Sequence, residues 1–265
     1  MVYPISATKL RSYQHCPYAY FLRYEKRLPS GPSFGAAALG NALHEALAHC
    51  HRDWHYQNHH PSWGWVSECW TKASTTLTNK QVREGRAILE QYYQKFIVSD
   101  TALRKPLAIE GRIQATIQIE NVEFVVTGRY DRIDYLDEGL ELIDYKSAQV
   151  KVLPDRDEID LQLGLYHLAL AQTYGQNLKY LSLLFLRSGE KVQYRADEKY
   201  ERKVLRILTD LAWQVRHDVK WEPKPGVQCG QCSYSQYCTA VNHEPIPEPS
   251  GNKVASLQLA FSLSA

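Results

Sequence analysis

Asp131, Asp144 and Lys146 are the residues whose types and spacing most directly suggest chemistry in this chain of 265 residues. Asp131 stands in Gly128-Arg-Tyr-Asp-Arg-Ile-Asp, and the other two in Leu-Ile-Asp144-Tyr-Lys146-Ser. Residues two apart in a strand project from one face, so Asp144 and Lys146 share a face. An antiparallel neighbour would bring Asp131 beside Asp144. Two carboxylates so placed can hold a hard divalent cation, Mg²⁺ or Mn²⁺, that keeps part of its water shell. The ammonium can position a water or stabilise charge growing on a phosphoryl oxygen. The plainer alternative is an exposed hairpin with a surface ion pair, worth about 1 kcal/mol or less.

The second chemical signal is Cys229-x2-Cys232-x5-Cys238, which follows Pro223 and Pro225. Three thiolates so close favour a soft-metal site over three small buried hydrophobes, and a fourth ligand must then come from elsewhere. The spacing matches no ferredoxin pattern, so it leaves an iron–sulphur cluster, structural zinc and free thiols open. Cys50 and Cys69 bracket a stretch containing His49, His51, His55, His59 and His60. That stretch reads as a solvated helix end and loop, with a second metal site on His51, His55 and His59 as the alternative.

The elements that must carry these residues follow from periodicity. Residues 6–27 read as one helix capped by Ser6 or Thr8, with Leu10, Tyr13, Tyr20, Phe21 and Tyr24 as its apolar bulk. Tyr18 and Tyr20, interleaved with Arg23 and Lys26, read as core packing rather than as a base-stacking platform. A Gly/Pro/Ala/Ser-rich loop over 29–40 leads into a helix near 39–52, and a further helix covers 80–98. From about 108 the period becomes two. Ile113, Ala115, Ile117 and Ile119 share a strand face, Glu120-Asn121 turns the chain, and strands follow over 122–134 and 140–146. Helix 158–173, strand 181–186 and helix 198–219 complete an α/β fold, a mixed sheet flanked by helices. Asp134 and Glu45 are given surface roles, and Glu110 is left without one.

With these motifs in order, the chain resembles the PD-(D/E)XK nuclease superfamily, and within it the RecB-like and CRISPR-associated iron–sulphur exonucleases. Gly40-Asn-Ala-Leu-His44 is similar to the family's histidine motif, and Gly128-Arg-Tyr-Asp131-Arg-Ile-Asp to its G-x-x-D-R-I-D element. Asp144-Tyr-Lys146 matches (D/E)-x-K, and Gln162-Leu-Gly-Leu-Tyr166 the Q-x-x-x-Y helix. The resemblance implies a restriction-endonuclease-like core in which His44, Asp131, Asp144 and the Tyr145 carbonyl ligate Mg²⁺ or Mn²⁺. Lys146 would act on the attacking water, while Gln162 and Tyr166 orient the lysine and the DNA. It further implies that Cys16 joins Cys229, Cys232 and Cys238 around a 4Fe–4S cluster, with zinc as the rival. Such a staple would close a very long loop and stabilise by roughly 5 kcal/mol in the loop-entropy estimate. The implied activity is a metal-dependent DNA exonuclease, favouring single strands or frayed ends, in repair, replication or CRISPR spacer processing. A catalytically weak DNA-binding module or an adaptor of the replication machinery is the alternative.

Composition sets the bounds. The chain is 44% hydrophobic and 23% charged with net charge +2, so nucleic-acid binding must rest on a local patch. It carries no apolar run long enough for a membrane span and no signal-like start, so a cytoplasmic protein with reduced cysteines is expected. The domain reading is a nuclease domain over 1–243, a proline-containing linker over 244–256 and a tail over 257–265. In the tail, Gln258, Leu259, Phe261 and Leu263 resemble the short peptides by which bacterial proteins dock on the sliding clamp. Packing of the tail on the domain is the competing expectation.

Overall fold

The structure, a computed structural model, describes residues 2–29, 36–99, 103–119, 122–150, 152–155 and 158–247. The tail residues Gln258, Leu259, Phe261 and Leu263 and the Glu120-Asn121 turn lie outside them. The chain forms two compact units, one of Met1–Pro4 with Ser33–Leu205 and one of Ile5–Pro32 with Arg206–Ala265. Its first elements are β1 (Val2–Ile5), α1 (Ala7–His15), α2 (Pro17–Tyr20) and α3 (Ala36–Asp53). Then come α4 (Trp63–Ala73), α5 (Asn79–Tyr92), β2 (Ala108–Ile119), β3 (Val122–Leu136) and β4 (Gly139–Lys146). The remainder are α6 (Leu161–Tyr174), β5 (Leu178–Phe185), β6 (Glu190–Arg195) and α7 (Glu198–His217).

The larger unit is built on a six-stranded mixed sheet in the order β1-β3-β4-β5-β6, with β2 also on β3. β3 runs antiparallel to β2 and to β4, where Arg132 pairs with Ile143. β4 and β5 are parallel, with Lys146 opposite Phe185, and β6 closes antiparallel on β5. One face of the sheet, through Ile143, Tyr145 and Leu184, shares a core with Leu43 and Leu47 of α3, Trp70 of α4, and Leu89 and Tyr92 of α5. Residues 142, 144 and 146 point the other way. There α6 contacts β2, β3 and β5, burying nearly all of its first ten residues.

Two expected elements are corrected. The single helix over 6–27 breaks at Cys16, whose backbone is extended at φ −163° and ψ 110°. Pro17 excludes the helical conformation from the residue before it and then opens α2 itself. The wet, histidine- and tryptophan-rich stretch ahead of the helix expected over 80–98 contains α4. Ser62 caps it by accepting from the Trp65 N–H at 3.3 Å, and Val66, Cys69, Trp70 and Ala73 form its buried stripe. β1 and β6 are short strands that periodicity did not reveal.

The smaller unit joins the two ends of the chain. Trp221 stacks on Tyr20 and Phe21, and the Tyr13 hydroxyl donates to Asp218 at 2.8 Å. Leu22, Leu28 and Tyr234 form its core, and the Tyr234 hydroxyl donates to the Leu28 carbonyl. Tyr20 is thus a core residue, as expected.

Candidate active site

The register that pairs Arg132 with Ile143 sets Asp131 next to Asp144 and Tyr145. The Tyr145 N–H donates to Asp131 Oδ2 at 2.6 Å, and His44 Nδ1 of α3 stands 3.0 Å from Asp131 Oδ1. Asp144 Oδ2 is 2.6 Å from Lys146 Nζ, and Asp144 Oδ1 accepts from Gln162 Nε2 at 2.6 Å. Lys146 also donates to Gln162 Oε1 at 3.0 Å. The Tyr166 hydroxyl donates to the Arg129 carbonyl at 2.9 Å and lies 3.3 Å from Gln162 Nε2. All the residues singled out for the nuclease motifs therefore gather at one place, carried by α3, β3, β4 and α6.

Both motif glycines have a steric reason. A Cβ on Gly128 would meet the Tyr166 ring at 2.5 Å, and one on Gly40 would meet Ser147 Oγ at 2.6 Å. Without side chains there, α6 can approach the middle of β3, and α3 the end of β4, closely enough to deliver Tyr166 and His44.

Glu110 is the residue that the sequence left undecided. It joins His44 and Asp131 in a group whose ligand atoms lie within 4.8 Å of one another. Its backbone has φ 54°, a left-handed conformation costing roughly 1–3 kcal/mol in a non-glycine residue. Glu110 also binds the Arg129 guanidinium at 2.5 Å. No periodicity marks such a residue. The signal that was available is an acid near the start of a strand expected to lie beside the one bearing Asp131.

The electrostatics fit a cation. Burial pushes the Asp144 carboxyl up to about 6 and the nearby Asp131 adds to this, against the pull of Lys146. Burial and Asp131 likewise raise Glu110. Burial opposes charge on His44, but Asp131, Asp144 and Glu110 together outweigh it and raise its pKa. Carboxylates crowded so that their ionisation is disfavoured gain from a bound positive charge. One imidazole with several carboxylates suits Mg²⁺ or Mn²⁺, so the donor set fits the implied metal. A cavity of about 650 Å³ opens on the group, lined also by Asn41, Arg52, Arg129 and Ser147.

In the smaller unit Cys16, Cys229, Cys232 and Cys238 line one cavity of about 400 Å³. Backbone N–H groups already point at sulphur, from Lys224 to Cys16 at 3.5 Å and from Gly226 to Cys229 at 3.4 Å. Cys50 and Cys69 are buried in the larger unit's core, where burial pushes their thiols up to about 12 and about 11. Such thiols are inert. The histidine stretch is a helix end and loop, as expected, with His55 and His59 exposed, and α3 ends at Asp53, so His51, His55 and His59 share no helix. His51 alone differs, being buried rather than solvated. Asp134, expected at the surface, is half-buried and pairs with Arg132 at 2.8 Å.

The family model of the PD-(D/E)XK nuclease superfamily matches residues 4–239. The chain belongs to the PD-(D/E)XK nuclease superfamily. It is 25% identical over 211 residues to a subunit of an ATP-dependent helicase/deoxyribonuclease from Carboxydothermus hydrogenoformans, covering 66% of this chain and 19% of that one. It is 27% identical over 77 residues to a CRISPR-associated exonuclease Cas4 of Aeropyrum pernix, covering 29% and 39%. The chain thus spans less than half the length of either curated relative. The crystal structure of SSO0001 aligns over 90% of this chain and 87% of its own at 14% identity and a TM-score of 0.43. Among the described residues, no helix is long and apolar enough to cross a membrane.

Proposed function

We propose that this protein is a divalent-metal-dependent deoxyribonuclease, acting as an exonuclease on single strands or frayed ends. The observation that carries the reading is the meeting of His44, Glu110 and Asp131 in one open cavity, with the Asp144–Lys146 pair beside Asp131 on the neighbouring strand. Those three would hold Mg²⁺ or Mn²⁺, with Asp144 and the Tyr145 carbonyl completing the set. The bound ion supplies a Lewis acid for the phosphoryl oxygen and a water of lowered pKa. Lys146 brings a fixed positive charge to the developing phosphorane, and Gln162 holds that ammonium and the Asp144 carboxylate in register. Tyr166 ties α6 to the Arg129 backbone, so that the two sides of the site keep their spacing. Arg52 and Arg129 line the same cavity and offer guanidinium groups to the DNA backbone.

The four cysteines would bind a 4Fe–4S cluster. Structural zinc is the rival, and the one cavity that all four thiols line supports a metal group shared among them. Its place would be structural. The tail residues Gln258, Leu259, Phe261 and Leu263 are proposed, from sequence alone, to dock on a sliding clamp. Calorimetry of the tail peptide with the host's clamp checks this, and no binding at hundreds of micromolar overturns it.

The test of the main reading is degradation of end-labelled single-stranded and duplex DNA with Mn²⁺, Mg²⁺ or EDTA. Metal-dependent loss from an end, abolished by Lys146→Ala, is the expected result. DNA binding without cleavage in either metal would favour the binding-module alternative instead.

A further inference from the structure

Behind the candidate site lies a buried polar cluster that the proposed chemistry does not use. Arg132 follows Asp131 on β3 and so points to the opposite face of the sheet, toward α3 and α5. Its Nη1 lies 2.6 Å from His51 Nε2, 2.9 Å from the Tyr92 hydroxyl and 2.8 Å from the Tyr145 hydroxyl. Its Nη2 pairs with Asp134 at 2.8 Å. One guanidinium thus ties β3 to α3, α5 and β4.

The chemistry of the cluster makes it rigid. A guanidinium is planar and keeps its proton, and the two N–H groups of Nη1 are shared among His51 Nε2 and the two tyrosine hydroxyls. His51 must accept through Nε2 and is therefore neutral, with its proton on Nδ1. Burial and the adjacent Arg132 both push its pKa well below the usual histidine range, in keeping with that assignment. A buried charged pair seldom stabilises a fold more than apolar residues of the same volume would, so stability alone is a poor reason for this cluster.

Geometry offers a better one. Tyr145 is held at two points, its hydroxyl by Arg132 and its backbone N–H by Asp131 Oδ2 at 2.6 Å. Its ring also meets the His44 imidazole edge-on, with centroids 5.8 Å apart. Whatever fixes Tyr145 therefore fixes the groups that flank two of the three cation donors. We infer that Arg132 is a positioning residue for the metal centre, acting through Tyr145 on Asp131 and His44. The inference rests on the metal reading above and adds to it the device that keeps the donors in place before the cation arrives. It also gives the Arg132-Ile-Asp134 part of the motif a purpose, since Asp134 neutralises the guanidinium and Ile133 packs on the sheet's other face.

The experiment is Mn²⁺ titration of the full chain, followed by electron paramagnetic resonance of the free ion. The variants are Tyr145→Phe, which removes one hydroxyl and leaves ring and backbone, and Arg132→Lys, which keeps the charge but loses the fork. Gln172→Ala is the control: it breaks a hydrogen bond to the Thr116 carbonyl between α6 and β2 and touches none of these groups. Native affinity is expected in the control and at least threefold weaker affinity in Tyr145→Phe. Arg132→Lys should be weaker still; should it fail to fold, the tyrosine variant decides. A ratio below three for Tyr145→Phe, with native binding intact, would overturn the inference alone. Failure of the native protein to bind Mn²⁺ at a site lost in Asp131→Asn would overturn the metal reading, and the inference with it.

Discussion

Lys146 contacts the Asp144 carboxylate at 2.6 Å and the Gln162 carbonyl at 3.0 Å, which leaves its third donor for water or phosphate. Replacing it with alanine removes a positive charge aimed at the reacting group, and such losses cost about 10²–10³ in rate. Turnover of Lys146→Ala at saturating Mn²⁺ should fall by at least a hundredfold while DNA binding persists, as single-turnover kinetics and gel shift can show. Arg52 lies at the cavity wall, and its charge acts on Glu110 less than burial, Asp131 or Arg129 does. Arg52→Ala should raise the KM for DNA severalfold and leave turnover near native. The slope of log affinity against log salt should fall by about one, the signature of a single lost phosphate contact. Glu110 differs from both, because its left-handed backbone is a local cost repaid only if the carboxylate is needed where it stands. Glu110→Gln is expected to weaken Mn²⁺ binding about tenfold without lowering the melting temperature, which calorimetry and metal titration measure separately.

Helix α6 is buried nearly all round. Gln162 and Tyr166, four residues apart, share a face at the site, while Leu163 and His167 are buried on another side. His167 has neither ring nitrogen hydrogen-bonded and meets Tyr200 edge-on, and burial lowers its pKa below the usual 6.5. The unfolded chain therefore takes up a proton near pH 6.5 that the folded helix refuses. Its contribution to stability is present above that pH and is lost as the pH falls, by at most about 1.4 kcal/mol per pH unit. His167→Leu should flatten the decline in melting temperature between pH 7 and 5 and leave cleavage at pH 7.5 unchanged. A decline identical to the native one would remove His167 as its source. At α1 and α2 the governing residue is Pro17, which turns the chain at Cys16 and lets that thiol face the cavity shared with Cys229, Cys232 and Cys238.

At the level of the molecule, the smaller unit is made from the two chain ends, and its four cysteines are proposed to bind them through one cluster. The anaerobically purified protein should then be brown with about four irons per chain, as expected of a 4Fe–4S cluster. Cys16→Ala should lose most of the iron and the colour, and its melting temperature should fall. Metal analysis that finds zinc and no iron would decide for the rival. The sequence by itself determined the parts whose partners are close along the chain. A period of two and a short turn bring Asp131 beside Asp144, a two-residue step puts Lys146 on the same face, and a four-residue step aligns Gln162 with Tyr166. It also showed three cysteines on one short segment. What it left out depends on which surface covers which face. Alternation tells that Arg132 and Asp134 oppose Asp131, but not that α3 and α5 lie over them and turn an apparently exposed pair into a buried arginine with a half-buried partner. His51 and the thiols of Cys50 and Cys69 were misplaced or left undecided for the same reason. Glu110 joined the donors only in the tertiary structure, because a single left-handed residue in a strand leaves no periodic trace and is held by the packing around it.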